Sequence, residues 1–70
     1  MNYYVVAQID NKMYYLLGPF TTQAGARAYI ASVKEFCIKN DARAKLMKFG
    51  TALVKRDKPG SVNSRFRCKG

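Results

Sequence analysis

The chain has 70 residues, of which 49% are hydrophobic, and its formal net charge at pH 7 is +9. This length suits one small domain, close to the lower size at which a hydrophobic core is stable without disulfides or bound metal. The apolar content argues against disorder. Because histidine is absent and the four carboxylates are scattered, Ser-His or Cys-His catalysis and imidazole-bound metal are excluded, and we expect no enzyme, metal site or cofactor.

The chain begins with the pattern of a β-hairpin. Residues 3–9 and 13–17 are rich in the β-branched and aromatic side chains that strands favour. Asp10-Asn11 tolerates the left-handed backbone of a tight turn, and Gly18-Pro19 is expected to end the second strand. A turn at this point pairs Gln8 with Met13, Val6 with Tyr15, and Tyr4 with Leu17.

Both faces of the predicted hairpin are apolar. This register places on one face Tyr4, Val6, Met13, Tyr15 and Leu17, and on the other Tyr3, Val5, Ala7, Ile9, Tyr14 and Leu16. One helix covers one face, so the second needs the C-terminal segment, a second copy of the chain or a binding partner. A homodimer through the exposed sheet face is one of these arrangements.

A helix is predicted next, over residues 22–39. Thr21 or Thr22 can cap it by accepting a hydrogen bond from a backbone amide of the first turn. Apolar residues recur at helical spacing and form the stripe of a core-facing helix, namely Ala26, Tyr29, Ile30, Val33, Phe36 and Cys37.

Residues 41–50 fit either a helix or a strand. Residues 42–48 are strong helix formers that Asp41 can cap, yet they could also extend the strand that follows. We favour a short helix and then a third strand over residues 51–56. A turn is predicted at Asp57-Lys58-Pro59-Gly60, and the alternation of Val62, Ser64, Phe66 and Cys68 predicts a weak edge strand or a basic tail.

These elements predict an α+β fold in the order ββα-β, with a small antiparallel sheet packed against one main helix. The sheet consists of the N-terminal hairpin and a later strand, and a short second helix is an option. Residues 1–60 form the single domain, and residues 61–70 are the tail or edge strand. Cys37 is expected to be buried on the helix, and Cys68 to be a free thiol, unless the two form a disulfide.

Basic residues are concentrated in the second half, where residues 36–70 hold ten of the 13 Lys and Arg against two aspartates. Such a balance fits either a solubilising charge bias without a ligand or a polyanionic partner, of which nucleic acid is the commonest. The predicted nucleic-acid contacts are Lys45, Lys48, Lys55, Arg56, Lys58, Arg65 and Arg67.

Four of the five tyrosines lie in the hairpin, where sheet aromatics can stack on unpaired bases. They can equally form cross-strand and core contacts, or dock into a partner protein. The predicted stacking or interface residues are Tyr3, Tyr4, Tyr14 and Tyr15.

The segment Tyr15-Leu16-Leu17-Gly18-Pro19-Phe20-Thr21-Thr22-Gln23-Ala24-Gly25-Ala26 resembles the strand–Gly-x-Phe-x-Thr–helix junction of the three-stranded DNA-binding domains of phage-type integrases. That resemblance implies a sheet that enters the major groove. The order of hairpin, helix and later strand is also similar to early proteins of T7-like phages that inhibit host RNA polymerase, which implies a protein target.

Two functions are therefore expected. The first is nucleic-acid binding through the cationic C-terminal half. The second is a phage-type effector that binds an acidic surface of a host protein, such as a polymerase or nuclease complex, through its hairpin. No apolar run approaches the length of a membrane span and no signal-peptide pattern is present, so we expect no membrane association and a cytoplasmic location, in the host if the chain is phage-encoded.

Overall fold

Two strands are followed by a helical segment, a short 3₁₀ helix, a third strand and a helical turn. The computed structural model describes residues 1–66, with side chains described for residues 1–64. The elements are β1 (Asn2–Ile9), β2 (Lys12–Phe20), α1 (Gln23–Arg27), α2 (Ile30–Asn40), the 3₁₀ helix (Ala42–Leu46), β3 (Lys48–Val54) and α3 (Asn63–Phe66). The strands form an antiparallel sheet in the order β2-β1-β3. This arrangement confirms the predicted α+β class.

The hairpin turns where the sequence predicts. Asp10 adopts a φ of 54°, the left-handed backbone that aspartate tolerates. Gln8 pairs with Met13 and Val6 with Tyr15, as expected.

The predicted pairing of Tyr4 with Leu17 is wrong. A register shift between Val5 and Val6 leaves Leu16 as an extra residue on β2, so Leu17 pairs with Val5 instead. Leu17 consequently packs on the helix side of the sheet. The core there consists of Val5, Ala7, Leu16, Leu17, Ala26 and Val33.

The predicted end of β2 at Gly18-Pro19 is also wrong, because the strand continues to Phe20, which pairs with Tyr3. The side chain of Asn63 satisfies the backbone at this irregular point. Its Oδ1 accepts from the Gly18 N–H at 3.0 Å, and its Nδ2 donates to the Gly18 carbonyl. Buried backbone groups need such partners, so a residue distant in sequence stabilises the end of β2.

The predicted helix forms in two pieces. Thr22 caps α1 by accepting from the Gly25 N–H at 3.1 Å. The helix is interrupted at Ala28-Tyr29, where the Tyr29 N–H donates to Ala26, three residues earlier, instead of four. The Tyr29 ring stacks on Phe20 with centroids 5.5 Å apart. The predicted stripe is confirmed, since Ala26 and Val33 are fully buried and Tyr29, Ile30 and Cys37 pack against the core.

The ambiguous stretch is a short helix followed by a strand. Asp41 caps the 3₁₀ helix by accepting from the Arg43 N–H at 3.0 Å. β3 begins at Lys48 and ends at Val54, earlier at both ends than predicted. The reason is that β1 offers pairing along its whole length, so Lys48 lies opposite Gln8.

Residues 55–62, which we call the crossing segment, cover the second face of the sheet. This back face carries Tyr4 and Val6, which are 0% and 5% exposed. The segment leaves β3 at one edge and reaches β2 at the other, where the N–H groups of Gly60, Ser61 and Val62 donate to the carbonyls of Gly18, Tyr15 and Leu16 at 2.8–3.2 Å. The predicted turn at residues 57–60 is therefore an extended crossing, and the predicted exposed sheet face is covered.

Residues 63–66 correct the prediction of a C-terminal edge strand, because they form α3 instead. The Asn63 N–H donates to the Gly60 carbonyl, which begins a helical turn. Cys68 and Arg67 lie outside the described residues. No helix in residues 1–66 has both the length and the apolar character needed to cross a bilayer.

Candidate nucleic-acid interface

Arg56 lies against two tyrosine rings on the back face of the sheet. Its Cζ is 4.6 Å from the ring centroid of Tyr15 and 5.7 Å from that of Tyr4. The two rings contact each other edge to face, with centroids 5.6 Å apart. A cation over an aromatic face is stabilised by roughly 0.5–2 kcal/mol, depending on desolvation. The rings therefore hold the guanidinium in one place.

Side chains of β1 also hold the backbone around Arg56. The Asn2 Nδ2 donates to the Arg56 carbonyl at 2.7 Å. The Tyr4 hydroxyl shares its one hydrogen between the Lys58 carbonyl, at 2.7 Å, and the Arg56 carbonyl, at 3.1 Å. Because Tyr4 is fully buried on the central strand, these bonds fix the crossing segment to the middle of the sheet.

The Arg56 guanidinium has no carboxylate partner within residues 1–64. Within these residues, the ion pair that forms joins Arg43 to Asp41, with a nitrogen–oxygen distance of 3.3 Å. The Arg56 Nε is buried and has no hydrogen-bond acceptor in the described part of the chain. Packing on the rings therefore positions this arginine, and its nitrogens are not occupied by an acidic side chain.

A cleft of about 330 Å³ opens beside Arg56. Tyr15 and Val54 form its apolar side, and Lys55, Arg56 and Lys58 supply three cations against one carboxylate, Asp57. The sequence predicted all three cations as phosphate contacts, and the structure brings them together with Tyr15. The cleft is thus suited to an anionic group attached to an apolar or aromatic body.

The other predicted phosphate contacts lie elsewhere. Lys45 is on the 3₁₀ helix and Lys48 begins β3. Seven strand positions separate Lys48 from Lys55, which corresponds to about 23 Å. The side chain of Arg65 and the whole of Arg67 lie outside the described part. Lys48 and the cleft cations therefore lie at opposite ends of β3.

The predicted tyrosines differ in accessibility. Tyr4 is fully buried and has no surface to offer to a partner. Tyr3 packs against the core, and one side of Tyr15 carries Arg56. Tyr14 is the member of the set with substantial exposure, at 41%. A homodimer through the back face would require the crossing segment to leave it.

Tyr14 lines a second, more apolar cleft of about 200 Å³ on the helix side of the sheet. Leu16, Phe36, Cys37 and Met47 are among its walls. Burial raises the pKa of the Cys37 thiol, since desolvation disfavours the thiolate.

Asp41 is one of the residues that line this second cleft, and Arg43 is its ion-pair partner on the 3₁₀ helix. The pKa of Asp41 lies below its ordinary value, first because its side chain accepts from the Arg43 backbone N–H and then because it accepts from the guanidinium. The same carboxylate raises the pKa of Arg43. This exposed pair therefore stays ionised and caps the helix.

Sequence reasoning missed the contact of Arg56 with Tyr15 and the role of Asn2. The signal available was indirect, because two apolar sheet faces required a second cover and the C-terminal segment was one of three candidates. Asn2 and Arg56 are separated by 54 positions, so no local pattern joins them.

The described residues contain no cluster of three or more His, Cys, Asp or Glu side chains that could hold a metal ion. Comparison with known proteins adds no relatives: no family model, curated protein or solved structure matches this chain. The resemblances to integrase-type domains and phage inhibitors remain predictions from the sequence.

Proposed function

We propose that this protein binds nucleic acid through phosphate contacts and catalyses no reaction. The observation that carries the proposal is the cleft beside Arg56, where Lys55, Arg56 and Lys58 converge without an ion pair to a carboxylate of residues 1–64. Clustered cations that lack internal partners favour a polyanion, because neutralising phosphates releases counterions. Lys45 and Lys48 form a second group that a longer strand could reach.

The formal charge of +9 supports the same proposal at long range. Opposite charges accelerate association. At physiological ionic strength, salt screens this attraction at separations beyond about 8 Å. Contacts of this kind bind the backbone and carry no sequence information by themselves. The expected behaviour is general binding with a strong dependence on salt.

The test is fluorescence anisotropy with labelled DNA and RNA oligonucleotides at two salt concentrations. For three to five phosphate contacts, affinity should fall roughly 20- to 500-fold between about 50 and 200 mM salt. Heparin serves as the control polyanion. Absence of binding at low salt, or equal affinity for heparin and nucleic acid, would reject the proposal.

The second cleft favours an alternative, binding of an acidic protein surface that inserts an apolar side chain. Tyr14 is 41% exposed there, and Arg43 and Lys45 flank the cleft residue Ala44. Charge would orient the partner and the apolar contact would retain it. This proposal is consistent with the predicted phage-type effector.

A pull-down from nuclease-treated host lysate tests the alternative. Tyr14→Ala should abolish capture without unfolding the protein, whereas Lys34→Gln on the exposed side of α2 should not affect it. Capture that survives Tyr14→Ala but ends on charge reversal at Lys55 and Lys58 would contradict this use of the hairpin.

A further inference from the structure

We propose that the cleft beside Arg56 binds one unpaired nucleotide of a single strand, with the base stacked on the Arg56 guanidinium and the adjacent phosphates bound by Lys55 and Lys58. This inference rests on the proposed nucleic-acid function. It goes further because it names the strand state and the residue that selects it.

The stacking surface follows from the order of the layers. The Cζ of Arg56 lies 4.6 Å from the Tyr15 centroid, so this side of the tyrosine ring is already occupied. A base entering the cleft therefore meets the guanidinium and not the ring. Arginine planes stack on bases as aromatic rings do, and they add a positive charge.

The site is held in place before any ligand arrives. Two hydrogen bonds fix the Arg56 carbonyl and one fixes the Lys58 carbonyl. The rings of Tyr4 and Tyr15 position the guanidinium of Arg56. A group that is already ordered loses little entropy on binding, so its contacts contribute more fully to affinity.

The composition of the cleft matches the parts of a nucleotide. Its volume of about 330 Å³ falls within the range of small-ligand sites. Lys55 and Lys58 lie on either side of Arg56 along the chain and can bind successive phosphates, while Val54 provides apolar contact for the base. Bases within a duplex are stacked on each other and are not available to this surface, so single strands are preferred.

The test compares Arg56→Lys with Arg27→Lys, a matched change of an exposed arginine on α1. Anisotropy is measured with a labelled ten-residue oligothymidine strand and with its duplex at about 50 mM salt. Base stacking contributes about 1–3 kcal/mol per base, so Arg56→Lys should weaken single-strand binding roughly fivefold to a hundredfold although the net charge is unchanged. Duplex binding should change little, and Arg27→Lys should have no effect on either.

A second measurement covers the case in which Arg56→Lys disturbs the fold. In the wild-type protein, the NMR signals of the Arg56 Nε–H group and the Tyr15 ring should shift more on addition of the single strand than on addition of the duplex, which contacts this cleft through phosphates alone. Unshifted signals, equal affinity of wild type and Arg56→Lys for the single strand, or a wild-type preference for duplex would overturn this inference. Salt-dependent binding would then still support the proposed function, whereas binding to neither probe would remove both proposals.

Discussion

At the scale of single residues, Tyr4 joins the sheet to the crossing segment. Its ring is fully buried against Arg56 and Tyr15. Its hydroxyl donates to the carbonyls of Arg56 and Lys58. The side chain was predicted as a contact for a partner, yet the structure gives it an internal role.

Tyr4→Phe should therefore lower the free energy of unfolding by about 1–3 kcal/mol, because the Lys58 carbonyl loses its donor and the Arg56 carbonyl keeps only Asn2, while the ring remains. Urea unfolding followed by circular dichroism measures the change. Tyr14→Phe is the matched control, since Tyr14 is exposed, and it should change stability by less than about 0.5 kcal/mol. Equal effects of the two substitutions would show that the hydroxyl of Tyr4 does not hold the segment.

Cys37 provides a test of core packing at one residue. Burial raises the pKa of its thiol, so the folded protein keeps the proton to higher pH than the unfolded chain does. The contribution of Cys37 to stability is thus present at neutral pH and is lost as pH rises through the folded pKa. In a Cys68→Ser background, alkylation of Cys37 by iodoacetamide at mildly alkaline pH should be much slower in buffer than in urea. Similar rates would mean that the thiol is accessible in the fold.

At the scale of elements, the crossing segment serves as the second cover of the sheet. α1 and α2 pack on one face. Residues 56–58 pack on the other face, and residues 60–62 bond to the edge of β2. Covering this edge also blocks pairing with another chain, a common risk at exposed strands.

Two glycines test the attachment of the crossing segment to β2. A Cβ at Gly60 would lie 2.6 Å from the Leu17 nitrogen and close to the Leu16 carbonyl, whereas a Cβ at Gly50 would meet nothing within 4 Å. Gly60→Ala should therefore destabilise by roughly 1–3 kcal/mol through overpacking against backbone. Gly50→Ala should stabilise β3 by roughly 0.5–1 kcal/mol. Thermal denaturation compares the two, and a neutral Gly60→Ala would argue against close packing at that edge.

At the scale of the whole molecule, positive charge divides between the two ends of β3. Lys55, Arg56 and Lys58 share one cleft, while Lys48 lies opposite Gln8, near the hairpin turn. Phosphate contacts were predicted throughout the second half of the chain. In the structure, Lys48 and the cleft that begins at Lys55 lie about 23 Å apart along β3.

This division predicts which lysines set the salt dependence. Lys55→Gln with Lys58→Gln should reduce the slope of log affinity against log salt by about 1.4–1.8, since each phosphate contact contributes about 0.7–0.9. The control is Lys34→Gln with Lys39→Gln on α2, which removes the same charge from exposed positions. Equal slopes for the two double variants would show that total charge, and not the cleft, governs binding.

Local patterns in the sequence were sufficient for the hairpin and the helical stripe, because each depends on residues within a few positions of one another. They left the cap open between Thr21 and Thr22, and residues 41–50 open between a helix and a strand. They did not predict the extra residue at Leu16, since alternation continues on either side of it. For residues 61–70 they offered a weak edge strand or a basic tail and did not predict α3, because Val62 and Phe66 fit either period.

The path of residues 55–62 was decided by tertiary structure. Two apolar faces could be recognised from the sequence, but the choice among a tail, a second copy and a partner depended on contacts such as Asn2 with Arg56, 54 positions apart. The same contacts place a cation on the Tyr15 ring and create the candidate site. Composition determined that the chain is cationic, and long-range packing determined which of its cations act together.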